Sequence, residues 1–356
     1  MNRVGESLRR SCAAIIGAVF FIAGMLKLMD PVGAGLVVGE YLDFLHLGWL
    51  SGLSKPLGTA MALVETITGA ALVSGVWRRL FAIVTFVLLA GFTILTAVLW
   101  ILNPEMDCGC FGEAVHLTHS QSFWKNVVLL AMASAAFIPL NNGFMERKGK
   151  RAAFWIVTTV MAAFCIMSQL DIPLVDFMAY APGFEILDGA SGTYEEGESS
   201  AEDGTSVLAV SDAYGMSADG LLTEGDVLIV SAYDPAKMDD TDWEKAEKTL
   251  QGAAAAGMYP LLVTSSDDGV PVTLGEFMHL ADRKTILTLN RSQGGATWIS
   301  DGTVTAKWGQ KWVPDTESLC SLADEGAASC MTARTSHRRI TFEALTAGCL
   351  ALLLLL

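Results

Sequence analysis

Charge is scarce in this chain: Asp, Glu, Lys and Arg make up 17% of its 356 residues, where soluble domains carry about a quarter. With 52% of the residues hydrophobic, a wholly soluble protein is excluded. Basic side chains are heavily outnumbered over residues 171–336, where 9 of them stand against 28 acidic ones. Phosphate contacts need clustered Lys and Arg, so nucleic acid is excluded as a partner. The chain also has no Cys-x-x-Cys pair, which rules out ordinary thioredoxin chemistry.

What it has instead is long apolar runs. Crossing about 30 Å of hydrocarbon as helix takes roughly 17 to 25 residues, and such runs lie at residues 11–29, 57–76, 80–102, 124–140 and 152–170. Basic clusters at Arg3 to Arg10, Arg78 and Arg79, and Arg147 to Arg151 fall at alternate ends of these runs. By the positive-inside rule the N-terminus is cytoplasmic. The loops 30–56 and 103–123, and everything after Asp171, then face the other side. The expectation is a multi-pass protein of the inner (cytoplasmic) membrane, embedded in the lipid bilayer, with a periplasmic acidic domain. A last apolar run, residues 340–356, is marginal for a sixth span. Arg338 and Arg339 just before it would then lie on the wrong side, so an interfacial tail is weighed against a span.

Five segments result: residues 1–150 as a four-helix membrane domain, 151–171 as a fifth transmembrane helix, 172–225 as an acidic linker and loop region, 226–336 as a compact α/β domain, and 337–356 as the apolar tail. Within the linker, residues 183–206 are rich in Gly, Ser and Glu without periodicity, as in solvated loops. The compact domain reads as strand (226–232), helix (243–256) and strand (259–264), then a helix near 274–282, a short run at 285–289, and a hairpin over 296–308 turning at Asp301-Gly302. A parallel unit followed by a hairpin is the order of thioredoxin-like folds. Where such folds keep their redox cysteines, this chain has Tyr233-Asp234-Pro235-Ala236-Lys237, so the domain is expected to bind or support.

Of seven cysteines, Cys12, Cys165 and Cys349 fall in apolar runs and read as small buried hydrophobes. The other four, Cys108, Cys110, Cys320 and Cys330, share the non-cytoplasmic side, where disulfides persist. Cys320 and Cys330 are close enough in sequence to pair as a structural disulfide. The sharpest local feature is Asp107-Cys108-Gly109-Cys110-Phe111-Gly112-Glu113. A disulfide in so small a ring departs from relaxed geometry and suits electron exchange, although Asp107 and Glu113 oppose a thiolate. A structural disulfide is the second reading. The third is a metal site, since His116 and His119 come next and four such ligands can hold zinc. Within the second run, Glu65 is an intramembrane carboxylate and hence a functional candidate. Its expected partner is Lys27 near the end of the first run, either as a structural ion pair or facing a proton path or quinone.

Together Phe21-Ile-Ala-Gly24-Met-Leu-Lys27-Leu-Met-Asp30-Pro31, Glu65, Asp107-Cys-Gly-Cys-Phe-Gly112 and Phe123-Trp-Lys-Asn-Val-Val128 resemble the DoxX-like and MauE-like membrane proteins, over residues 11 to about 140. The whole layout looks like DoxX-family proteins fused to an exported thioredoxin-like domain. The resemblance implies a four-helix core related to vitamin K epoxide reductase and to quinone-coupled disulfide-forming proteins. It further implies an accessory role in disulfide exchange with exported thiol proteins. On that reading Cys108 and Cys110 are the redox pair, and Glu65 and Lys27 line a quinone-holding interior. The alternative is a non-catalytic scaffold or assembly factor whose exported domain binds a client.

Overall fold

The computed structural model describes residues 3–104, 106, 108–113, 115, 117–138, 148–170, 180–186, 208–212, 215–216 and 218–355, without the side chains of residues 3–4, 113, 148, 170, 219 and 332–339. The chain divides into two compact units, residues 1–170 with 340–356, and residues 171–339.

The first unit is helical: α1 (Arg3–Met29), α2 (Pro31–Phe44), α3 (Ser54–Ser74), α4 (Arg78–Leu102), a short strand β1 (Cys110–Glu113), α5 (His119–Phe137) and α6 (Lys148–Leu170). Among the described residues, four stretches are long and apolar enough to cross a membrane: Gly5–Met29, Gly48–Ser74, Arg78–Leu102 and Gly149–Gln169. The protein is a multi-pass membrane protein. The expected span 124–140 does not join that class. Its helix starts earlier, at His119, and ends at Phe137, because a capping box between Thr118 and Gln121 begins the helix ahead of the apolar run. Its first turns are polar, and Ser122 and Asn126 are buried rather than turned to lipid.

Close approach of helices organises the bundle. α1 packs along α3 through Gly17, Gly24 and Gly69, and a Cβ on Gly17 would come within 2.8 Å of Val73. Gly24 and Gly69 leave no room at all, facing Thr66 and the backbone of Phe21. Small residues at such contacts let backbones meet, which is how helices associate where lipid supplies no hydrophobic drive. α2, capped by Asp30 with Pro31 at its first position, lies on α3, with Gly58 against the Ala34 carbonyl. At the end of the bundle where α1 begins, Arg9 and Arg78 both donate to the Ala136 carbonyl, at 2.9 and 2.7 Å, satisfying the C-terminus of α5. Trp77 packs there with Phe154 and Trp155, and Trp100 with Phe123 at the opposite end, the distribution of aromatic belts at two membrane faces.

The last helix (Ala327–Leu355) brings a shorter apolar stretch, Ile340–Leu355, into this unit. Phe342 stacks near Phe164, and Lys150 donates to the carbonyls of Leu353 and Leu354 at 2.8 and 3.2 Å. The stretch therefore runs antiparallel to α6 along most of its length. The side chains of Arg338 and Arg339 lie outside the described residues.

The second unit is α/β. A short helix α7 (Asp219–Thr223) precedes β2 (Asp226–Ala232), α8 (Asp240–Ala255), β3 (Tyr259–Thr264), β4 (Met278–Leu280), α9 (Arg283–Leu289), β5 (Gly295–Ser300), β6 (Thr303–Trp308) and α10 (Thr316–Glu325). The sheet order is β4-β3-β2-β5-β6, with β2, β3 and β4 parallel and β5 and β6 antiparallel. The β5–β6 turn at Asp301 and Gly302 has positive φ at both residues, as a two-residue hairpin requires. Val227, Ile229, Leu261 and Ile299 fill one side of the sheet, while Leu228, Trp298 and Leu319 fill the other.

Three expectations are corrected here. The predicted helix near 274–282 is a 3-10 turn, Val272–Phe277, continuing into β4, which extends the parallel edge of β3. The run 285–289, to which the sequence assigned no type, is helical, because Asp282 caps α9 by accepting from the amides of Lys284 and Thr285. The composition-based linker also yields its ends to the core. Gly183 and Ile186 donate to the carbonyls of Val304 and Gly302, closing the edge of β6. Leu208 and Val210 are buried, so the packed domain takes in chain ahead of residue 226. The remaining linker, residues 187–207, lies outside the described residues. Cys320 and Cys330 are thiols, Cys330 packing with Leu228 and Leu319 rather than closing a disulfide loop.

Replacing Gly69 by Leu should lose the folded bundle, since overpacking a tight contact costs about 1–3 kcal/mol or more. Gly91→Leu on α4, where nothing lies within 4 Å of the added Cβ, should be silent. Thermal unfolding of both detergent-solubilised variants checks this, and equal melting would refute the packing account.

Candidate functional site

At the end of the bundle away from Arg9 and Arg78, the chain leaves α4 through Asn103 in a left-handed conformation and returns as β1. Gly109 and Gly112 both have positive φ, a backbone that only glycine takes without strain. Gly109 also abuts Val37 so closely that no side chain fits. The turn brings Cys108 and Cys110 together with their sulfurs 3.2 Å apart, a thiol–thiol hydrogen bond. Tyr41 on α2 donates to the Cys108 carbonyl at 2.5 Å. Cys108 is 6% exposed, while Cys110 is half-buried.

α5 supplies the surroundings. Ser122 is buried, and its hydroxyl, with no other hydrogen-bond partner among the described residues, faces the Cys108 thiol. One turn on, Lys125 lies over the Phe111 ring at 4.7 Å from its centroid and neighbours Cys110. Asn126 donates to Thr96 on α4 at 3.3 Å. The sulfurs thus meet an ammonium group and a hydroxyl from the same helix.

Lys27 and Glu65 meet as expected. The ammonium donates to both carboxylate oxygens at 2.8 Å, with 8% and 2% of the side chains exposed. The pair and the dithiol open onto one cavity, whose walls include Phe20, Leu89, Phe92 and Leu129, and whose polar groups include Lys125 and Asn126. An apolar chamber with a few convergent polar groups is the usual form of a small-molecule site.

The two thiols are electrostatically unequal. The hydrogen bond from Cys108, with Lys125 and Lys27 nearby, pulls Cys110 down to about 5 against the opposing effect of burial. The same hydrogen bond and burial push Cys108 up. Burial, together with the nearby thiols, also pushes Tyr41 up, keeping it a neutral donor. The pair is thus polarised, Cys110 being the sulfur that gives up its proton more readily.

The third sequence reading required His116 and His119 to join the cysteines. His119 turns instead to the backbone, with Nε2 2.9 Å from the Met106 carbonyl and Nδ1 3.4 Å from Asn103. His116 and Asp107 lie outside the described residues, as does the Glu113 side chain. Among the described residues no three His, Cys, Asp or Glu side chains are grouped for a metal ion.

Sequence reasoning gave no role to Lys125, Ser122, Asn126 or Tyr41. Lys125 had a usable signal, being a charge inside an apolar run, the criterion that singled out Glu65. The others became visible only through the packing of α2 and α5 on the loop.

The first unit is thus a membrane helical bundle with a dithiol and a buried ion pair at one end. Residues 6–139 match the family model of the methylamine utilisation protein MauE, which takes in α1 to α5 and the whole site, so this region is MauE-like. No curated protein and no solved structure matches the chain. These comparisons carry neither the DoxX-like relation nor a thioredoxin-like assignment of the second unit.

Lys27→Met and Glu65→Gln should each destabilise the bundle by about 3–5 kcal/mol, because either leaves a buried charge unpaired. The double variant should recover most of that loss, and thermal midpoints in detergent give the comparison; additive losses would contradict the pairing. In the reduced protein, iodoacetamide should label Cys110 nearly as fast at about pH 6 as at pH 8, since the thiol is already ionised above about 5. Its rate should fall only as pH drops through that value. A tenfold decline per unit between pH 8 and 6 would contradict the ionised form.

Proposed function

We propose that this protein is a membrane-embedded thiol–disulfide redox accessory protein, exchanging disulfides with exported proteins through Cys108 and Cys110. The observation that carries this is the contact of the two sulfurs, one polarised toward thiolate, on the wall of an apolar cavity. A purely structural pair needs neither a stabilised thiolate nor an adjacent chamber. The MauE-like character of residues 6–139 supports an accessory role in a redox or maturation pathway.

The cavity fits a lipid quinone: its walls are apolar, it lies within the bundle, and Lys125 and Asn126 offer donors for a carbonyl oxygen beside the dithiol. A quinone bound there would accept the two electrons and two protons released when the dithiol becomes a disulfide. Exchange with an exported dithiol then regenerates the reduced pair as the exported protein gains its disulfide. Lys27 and Glu65 hold α1 to α3 at the cavity wall and keep its interior dry.

The orientation that suits this reading has the N-terminus cytoplasmic and the cysteine loop and α/β unit on the periplasmic side of the inner membrane, in keeping with the basic clusters. For the second unit we favour a thioredoxin-like domain, supported by its parallel β2–α8–β3 unit beside an antiparallel hairpin. Its strand-to-helix corner, Tyr233 to Lys237, has no sulfur, which favours a client-binding role for it.

Thiol trapping of membranes equilibrated in graded dithiol buffers tests the proposal. A reversible Cys108–Cys110 couple at about −120 to −180 mV is expected, with partner proteins accumulating in the wrong redox state in Cys108→Ser and Cys110→Ser cells. A couple below about −300 mV, with unaltered partners in both mutants, would leave a scaffold.

A further inference from the structure

Resting on that reading, we propose that Cys110 is the sulfur that forms the mixed disulfide with an exported partner, Cys108 the sulfur released when that bond forms, and Lys125 the positioning residue that holds the Cys110 thiolate. Three geometric facts carry this. First, the residues differ in exposure: Cys108 is buried beneath Tyr41 and beside Ser122, whereas Cys110 at the start of β1 is half-buried. Second, the cations differ in commitment. Lys27 is engaged by both oxygens of Glu65, so its charge is largely spent within that pair. Lys125 has no carboxylate partner among the described residues, and the Phe111 ring orients its ammonium on the cavity side that Cys110 shares. Third, Lys125 and Ser122 are both on α5, the ammonium beside Cys110 and the hydroxyl beside Cys108, so a single helix meets both sulfurs and brings its cation to Cys110.

The charged and titratable groups around Cys110 come from every neighbouring element: Lys27 on α1, Tyr41 on α2, Glu65 on α3, Lys125 on α5 and Cys108 in the loop. Of these, Lys125 is the cation whose removal leaves the rest paired as before.

In the exchange, a partner thiolate attacks Cys110 Sγ of the Cys108–Cys110 disulfide; the partner–Cys110 bond forms and the bonding pair passes to Cys108, which takes up a proton. The partner's second thiolate then attacks the partner sulfur of the mixed disulfide. Its own disulfide forms, and Cys110 leaves with the electron pair as a thiolate beside Lys125. The partner has lost two electrons and the pair has gained them. A stabilised leaving thiolate accelerates the second step.

The test uses the full chain in detergent, reduced, with no partner or quinone added. The pH profile of Cys110 alkylation is measured for the wild type, Lys125→Met and Lys125→Arg, with thermal midpoints recorded alongside. Lys125→Met should raise the profile's midpoint by about one to two pH units, and Lys125→Arg should restore it. In addition, mixed-disulfide trapping with a small aromatic disulfide should label Cys110 in the Cys108→Ser protein at least tenfold faster than Cys108 in the Cys110→Ser protein. An unchanged midpoint in a Lys125→Met protein that melts like wild type would overturn the role of Lys125, as would failure of Arg to rescue. Faster trapping of Cys108 would overturn the assignment of the sulfurs. Because neither readout involves a client or quinone, these failures are distinct from failure of the redox couple in membranes.

Discussion

A lysine and a glutamate that share two hydrogen bonds inside an apolar bundle can be neither separated nor exposed without heavy cost, since an unpaired ion in hydrocarbon is among the least tolerable groups in a protein. Lys27 and Glu65 impose that constraint on α1 and α3. Meeting it demands that the two helices approach closely and in one register, which Gly17, Gly24 and Gly69 make sterically achievable. Once α1 and α3 are joined, α2 rests on α3 at the same end through Gly58, and Tyr41 and Val37 of α2 define the pocket into which the cysteine loop folds. The placement of Cys108 and Cys110 thus depends on an ion pair on neighbouring helices that makes no hydrogen bond to either sulfur.

The dithiol's asymmetry depends on a different helix. In isolation a Cys-Gly-Cys string between acidic residues disfavours a thiolate, and the sequence offers no remedy nearby. The remedy comes from α5, whose capping box starts the helix early enough to set Ser122 and Lys125 against the two sulfurs. The polarity that removes α5 from the long apolar helices is what it contributes to the site. In surroundings shielded from water a single ammonium group acts on a thiolate far more strongly than it would in solvent.

The α/β unit teaches a parallel lesson at the level of local structure. Strands β2 and β3, helix α8 and the Asp301-Gly302 hairpin were legible because each is written in contiguous residues: apolar runs, a helix-forming stretch and a two-residue turn. The segment 274–282 was misread, because its hydrophobicity does not distinguish a strand joining the edge of β3 from a helix, and the decision rests on Asp282 capping α9 directly after β4. Composition likewise assigned Phe184 and Ile186 to a solvated linker on account of the acids around them, whereas pairing with β6 draws them into the core.

By itself the sequence determined the membrane-spanning character of the chain, the division into a helical and an acidic part, the cysteine pair as the point of chemical interest, and Lys27 as the partner of Glu65. Each of these comes from hydropathy, charge and local spacing, which act over neighbouring residues, or from the cost of a lone charge in an apolar run. Tertiary structure alone decided which sulfur is buried, which cation faces the other, that Tyr41 clamps the loop, and that dithiol and ion pair share one cavity. Those facts depend on residues up to about a hundred positions apart meeting at one end of the bundle, and the packing that brings them together is a property of several helices at once.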